Sequence, residues 1–157
     1  MITDNYIKMC EQAEEIQKAW EPKAGDYTQL KNNRQIYLIS SVEKSKDKKK
    51  VVFYTNIING NDSWCYLEFF KDNFIYLPTL EQLWKEVEEQ HFTENTDLTI
   101  GNNLKTDMYY VSTYTDIDDN IYTRKAEGKT LKECLLKLIM IEHCKAWTGE
   151  KWVKADD

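Results

Sequence analysis

The sequence predicts an α+β fold: an antiparallel, meander-like sheet of about five to seven strands, packed by an N-terminal, a middle and a C-terminal helix. Three features carry that reading. The stretch 130–152, TLKECLLKLIMIEHCKAWTGEKW, opens with Thr130 and Glu133 at capping-box spacing. Its Leu131, Cys134, Leu135, Leu138 and Ile141 recur at helical period, and Ile139 and Met140 widen the apolar face to that of a core helix. Gly149, two residues after Trp147, supplies a stop for that helix. Between residues 26 and 77 the apolar residues are instead Tyr, Ile, Val, Phe and Trp in short runs broken by Asn and Gly. Finally, strands and helices do not alternate as a parallel sheet would require.

Taken in order, residues 3–20 read as one helix capped by Thr3 or Asp4. Ile2, Tyr6, Met9, Ala13, Ile16 and Trp20 form a narrow seam along it, suited to its own sheet or to a second copy of the chain. Pro22 and Gly25 break this helix. Strands are expected at 26–30, 34–42, 51–58, 63–70 and 74–77, with hairpin signals at Asn32-Asn33 and Asn59-Gly60. The lysine-rich run EKSKDKKK at 43–50 suits a solvated hairpin loop. After Pro78, Thr79 and Gln82 make a second capping-box pair, and Leu80, Leu83, Trp84 and Val87 give the middle helix its apolar face. The segment 91–106 is polar and without period, so it reads as a loop. Strands at 107–115 and 121–126, joined by DIDDN, lead into the core helix. Residues 1–157 read as a single domain with a frayed end at 154–157.

The 157 residues are 41% hydrophobic and 31% charged, as in ordinary globular chains. No apolar run approaches the roughly 20 residues that span a bilayer. The acidic, polar start MITDNYIKMCEQAEE lacks the pattern of a signal or transit peptide, so a cytoplasmic location is expected. Cys10, Cys65, Cys134 and Cys144 are scattered without C-x-x-C, and His91 and His143 lack zinc spacing, so no metal and no cofactor is expected.

Charge is unevenly placed. Residues 79–119 carry 10 acidic and 2 basic residues, while 1–78 carry 11 of each. Glu86, Glu88, Glu89, Glu94, Asp97, Asp116, Asp118 and Asp119 are therefore candidates for a partner-binding acidic surface, set against the plain alternative of a solvated face with acidic turns. Such a surface repels phosphates and disfavours nucleic acid. Asp116, Asp118, Asn120, Tyr122 and Glu127 fall at calcium-loop positions. However, Ile121 replaces the turn glycine and the flanks read as strands, which favours an acidic hairpin turn. His143 and Cys144 are helix neighbours about 100° apart, a poor geometry for a thiol–base pair. No nucleophile elbow or phosphate-cradling glycine loop occurs, and no catalytic residue is assigned.

Three pieces carry a family likeness: EEIQKAWEPKAGDY with Trp20, Pro22, Gly25 and Asp26; LPTLEQL with Leu77, Pro78, Gln82 and Leu83; and EGKTLKECLLKLIMIEHCKAWTGEKWV with Gly128, Leu131, Leu135, Trp147, Gly149 and Trp152. With these, covering less than half its length, the chain resembles a family of small proteins encoded by phages and prophages of low-GC Gram-positive bacteria. The resemblance implies a phage accessory product in the bacterial cytoplasm and no particular activity. Its motif residues set turns and packing rather than chemistry.

Two functional readings and one structural reading follow. The first is a non-enzymatic protein that binds and modulates a host protein, such as a defence component, through the acidic surface. The second is a small-ligand module for a nucleotide signal. There Arg34, Tyr54, Trp64 and Tyr66 would combine base stacking with phosphate contacts. The third is a homodimer paired through the 2–20 seam.

Overall fold

The computed structural model describes residues 2–91, 96–117 and 120–155, and over them the fold is α+β with antiparallel sheets. In chain order the elements are α1 (Asp4–Gln12), α2 (Glu14–Ala19), β1 (Tyr27–Leu30), β2 (Ile36–Lys44), β3 (Lys50–Asn56), β4 (Asp62–Tyr66), α3 (Leu67–Asn73), β5 (Phe74–Leu77), α4 (Leu80–His91), β6 (Thr96–Asn103), β7 (Met108–Ile117), β8 (Asn120–Gly128), α5 (Leu131–Glu142), β9 (Lys145–Trp147) and β10 (Trp152–Lys154). The chain divides into two compact units, Ala13–Pro78 and a discontinuous one made of Met1–Gln12 with Thr79–Asp157.

The 13–78 unit is a five-stranded sheet in the order β4-β3-β2-β1-β5, with every neighbouring pair antiparallel. The run 63–70, expected as one strand, is β4 followed by the seven-residue α3. Its aromatic composition favours a strand, but Phe70 is fully buried while Phe69 beside it is exposed. A seven-residue helix is only about 10 Å long, whereas five flat strands hold their outer members about 19 Å apart. Since α3 links the two outer strands, the sheet must curl, and a bulge between Ile39 and Ser41 helps it do so.

The aromatics fill the inside of that curl. Phe70 stacks on Phe74 at 4.1 Å and Trp20 on Tyr76 at 4.8 Å, while Tyr54 meets both Tyr37 and Phe74 edge-on. The Trp-x-Pro-x-x-Gly-Asp motif explains how Trp20 is placed. The buried Asp26 carboxylate accepts the Trp20 indole N–H at 2.8 Å and the Lys23 N–H at 3.0 Å. Gly25 turns the chain between them at φ +90°, a conformation other residues resist. Beyond the curl, the Gln17 side chain donates to the Tyr76 carbonyl at 3.0 Å and accepts the Tyr76 N–H at 2.9 Å, so it pairs with the outer edge of β5 as a strand would.

In the discontinuous unit, β6, β7 and β8 form a three-stranded antiparallel sheet. Val111, Thr113 and Ala126 are buried on one face, where α5 packs on β7 and β8. Helices α4 and α1 pack on α5 in turn, so its Glu133, Cys134, Leu135, Leu136, Leu138, Ile139 and Met140 are all buried. Each large apolar side chain so buried contributes about 1.5–3 kcal/mol. Strand β6 lies where a loop is expected, because an outer strand such as TDLTIGNN needs little apolar content.

The N-terminal helix is also interrupted: Ala13, at φ −81° and ψ 73°, separates α1 from α2. Tyr6, Met9, Ala13 and Trp20 are buried. The other two residues of the expected seam, Ile2 and Ile16, are half-buried.

The Thr79–Gln82 capping box forms in full, whereas the Thr130–Glu133 pair forms only the Thr130 half. Thr79 and Gln82 exchange side-chain and backbone hydrogen bonds at 2.7 and 3.2 Å. Thr130 Oγ1 accepts the Glu133 N–H at 3.2 Å, and Glu133 Oε2 accepts the Lys129 N–H at 3.0 Å. The other Glu133 oxygen accepts the hydroxyl of Thr3, the residue before α1, at 2.8 Å. Helix α5 stops at His143, well short of Gly149, because Cys144 takes a left-handed turn (φ 53°) that ends it. Substituting Glu133→Ala removes a buried side chain and the acceptor of two part-buried donors and should cost about 3 kcal/mol, with Glu133→Gln losing roughly half of that. Urea denaturation checks both values.

Candidate binding surfaces

Helix α4 turns Leu83 and Val87 inward and leaves Glu81, Lys85, Glu86, Glu88 and Glu89 exposed. Four glutamates against one lysine make this surface acidic. Neighbours one turn away hold several of them: Trp84 Nε1 donates to Glu88 at 2.6 Å, Gln90 donates to Glu86 at 2.6 Å, and Lys85 lies 3.6 Å from Glu89. Asp97 pairs with Tyr114 across β6 and β7, and Asp116 lies two residues further along β7. Both therefore sit on the outward face of the sheet, opposite the side where α5 and α4 pack. The structure thus separates the described acidic candidates into a helical group and a sheet group. Glu94, Asp118 and Asp119 lie outside the described residues.

The aromatic candidates are likewise divided. Tyr54 faces the core, one position out of phase with Trp64 and Tyr66, whose partners on β3 are Phe53 and Val51. Trp64 and Tyr66 share the opposite face of the outer strand β4, with rings 6.1 Å apart and exposures of 57% and 40%. Lys49, from the lysine loop, places Nζ 5.2 Å from the Tyr66 ring. Arg34 is exposed in the β1–β2 connection, with β2 and β3 between it and β4. No single face gathers the four.

A cleft of about 250 Å³ lies where neither group was expected. Strand β8 gives it Lys125, Ala126 and Glu127, and α5 gives it Lys137 and Ile141. The β9–β10 hairpin completes it with Lys145, Ala146, Trp147 and Trp152. Trp147 pairs with Trp152 across the hairpin at 5.1 Å, and Lys145 pairs with Lys154. Both pairs lie on one face, because alternate strand residues point the same way. The hairpin turns at 148–151, with Gly149 at φ +99° and Thr148 Oγ1 accepting the Lys151 N–H at 3.2 Å. Trp152 Nε1 donates to the Met9 carbonyl at 2.9 Å, which fastens the hairpin beside α1. Lys137 donates to the Glu127 carbonyl at 2.6 Å, and Lys125 lies 2.7 Å from the Glu127 carboxylate. The sequence held a signal for this site in the near-mirror K-x-W-x-G-x-x-W-x-K, which was hidden by extending the helix pattern through it.

Among the described residues, no three His, Cys, Asp or Glu side chains converge as a metal site, and no helix is long and apolar enough to cross a membrane. No protein-family model matches the chain, and no curated protein matches it in sequence. Among solved structures, MRP1/MRP2 of Trypanosoma bruciei aligns over 82% of this chain and 88% of that one, at 11% identity and a TM-score of 0.25. That score carries no argument about function.

The thiols provide a direct check on this packing. Burial pushes the Cys10 thiol up from 9.0 to about 12 and the Cys134 thiol up to about 11, whereas Cys144 is exposed. A maleimide should label Cys144 in the native protein and reach Cys10 and Cys134 only on unfolding, as peptide mass will report. Unfolded thiols ionise before these two, so the stability linked to them is complete below about pH 9 and is lost as pH rises toward 11 and 12. Cys134→Ala should flatten part of that alkaline loss in urea melts.

Proposed function

We propose that the protein is a non-enzymatic phage accessory protein that binds and modulates a host protein in the bacterial cytoplasm, through the acidic surface of α4. A counter-defence inhibitor is one such role. The observation that carries this reading is the position of Glu88 and Glu89, exposed in the last turn of α4 with Glu86 just before them. Carboxylates there oppose the helix dipole, and single contacts to Trp84, Lys85 and Gln90 do not by themselves account for a cluster of three. A basic groove on a partner would, and would gain association rate from the charge. The resemblance of the three sequence pieces to phage and prophage proteins supports the host setting.

Reversing Glu86, Glu88 and Glu89 to Lys gives the test. The triple variant should lose a stoichiometric partner captured from host lysate by the tagged wild-type protein. Its Tm should stay within about 3 °C of wild type or rise, since exposed changes of this kind move stability little. Undiminished capture by the folded variant would remove the acidic helix from the interface.

A further inference from the structure

We infer that the outward face of β3 and β4, with the lysine hairpin that joins β2 to β3, binds single-stranded nucleic acid. Three features of the 13–78 unit point there.

The first is a pair of rings that the fold leaves open. Trp64 and Tyr66 alternate with Cys65, which packs on the aromatic core, so both stand on the opposite face of the sheet. Phe53, half-buried, lies beside Trp64 on that face. The two exposed rings are 6.1 Å apart and set at 90° to each other. Bases that meet them are therefore splayed apart, as an unpaired strand allows and a duplex does not. Stacking of this kind is favourable for any base, because every base has a π-face.

The second is charge at the end of that face. Residues 43–50 hold Lys44, Lys46, Lys48, Lys49 and Lys50 against Glu43 and Asp47. Setting both carboxylates fully against lysines still leaves three positive charges. Glu43 accepts the Ser41 hydroxyl at 2.9 Å and Asp47 accepts that of Ser45, with only Lys49 close enough to add its charge to Asp47. Among the described residues no carboxylate forms an ion pair with Lys44, Lys46, Lys48 or Lys50. Lys44 and Lys50 also stand directly opposite each other in the β2–β3 register. Like charges at facing positions destabilise a strand pair, and a phosphate backbone would relieve that repulsion.

The third is continuity between rings and charge. Lys49 Nζ lies 5.2 Å from the Tyr66 ring centroid, so the aromatic surface runs directly into the lysines. The turn that carries them is ordered by its own backbone. Ser45 N–H donates to the Lys49 carbonyl at 2.8 Å and Lys48 N–H to the Ser45 carbonyl at 2.9 Å, with Lys48 at φ +65°. A single strand uses both parts, its bases on the rings and its phosphates on the lysines. An acidic peptide would use the lysines and leave the rings without a role. The repulsion of phosphates expected of residues 79–119 belongs to the other unit, whereas 13–78 holds 10 basic and 9 acidic residues.

Fluorescence anisotropy tests the inference on the full chain. The probes are labelled oligothymidylate and oligouridylate about 12 nucleotides long, a duplex of the same length and a polyglutamate peptide. At least one single strand should bind at least tenfold more tightly than the duplex and the peptide, and binding should weaken as salt rises. W64L/Y66L keeps apolar cover over Phe53 while removing the stacking faces, and should weaken binding at least tenfold at an unchanged Tm. If its Tm falls, K46Q/K48N at the exposed turn gives the comparison, since Asn accepts the left-handed backbone of Lys48. That variant should weaken binding at least threefold and lower the salt slope by about 1.4. The inference is overturned if neither single strand binds at about 0.1 mM protein, or if the duplex or the peptide binds as tightly. Binding that survives in a folded variant overturns it too. W64L/Y66L should still capture the host partner through α4, so the two results are read separately.

Discussion

The buried carboxylate of Glu133 is the point on which the discontinuous unit closes. Its two oxygens meet the Thr3 hydroxyl and the Lys129 amide, so it joins the start of α1, the end of β8 and the first turn of α5. Around it, Lys132 lies over the Tyr6 ring at 5.4 Å and Trp152 reaches the Met9 carbonyl. Those ties add to the apolar packing of Tyr6, Met9 and Cys10 in placing the first 12 residues with a helix more than a hundred positions away. Carboxyl groups are rarely this buried unless every oxygen is answered. Answering them is what fixes the register of α1 against α5, and apolar packing then completes the layer.

What the sequence made legible was local chemistry. Thr79 with Gln82 and Thr130 with Glu133 act over three residues, so spacing alone predicts the first box and the Thr130 cap of the second, while the Glu133 carboxylate goes instead to Lys129 and Thr3. The runs of Tyr, Ile and Val marked β1, β2, β3, β5, β7 and β8 for the same reason: side-chain shape constrains the backbone it belongs to. Features set by distant partners were hidden. Strand β6 exists because β7 offers it a ladder, which its own polar residues do not announce. Helix α3 exists because Phe70 must reach into the curl, although LEFF has the composition of a strand. Ala13 breaks a helix whose seam runs unbroken through it.

The candidate sites follow the same division. Exposure of Glu86, Glu88 and Glu89 was readable from the helical period of Leu83 and Val87. That Asp97 and Asp116 point to another face depends on which side of the sheet α5 covers. That Tyr54 and Trp64 point apart depends on the β3–β4 register. The lysine and tryptophan cleft draws on β8, α5 and the terminal hairpin, which follow one another in sequence but form a cleft only once α5 packs on β8 and the hairpin folds back on α5. Charge of opposite sign is thereby sorted within one unit, with carboxylates outside α4 and ammonium groups about the hairpin. A net charge of −6 conceals both.

The amide of Gln17, lying against Tyr76, has a bearing on assembly. A sheet with two open edges can add neighbours indefinitely and grow into a filament. Here β5 already has a surrogate neighbour, while β4, at the other side of the same sheet, pairs with β3 alone. A strand cannot add to β5 at Tyr76 while Gln17 holds that position, which closes one of the two directions in which the sheet could grow. One glutamine side chain thus guards one end of the sheet against strand addition.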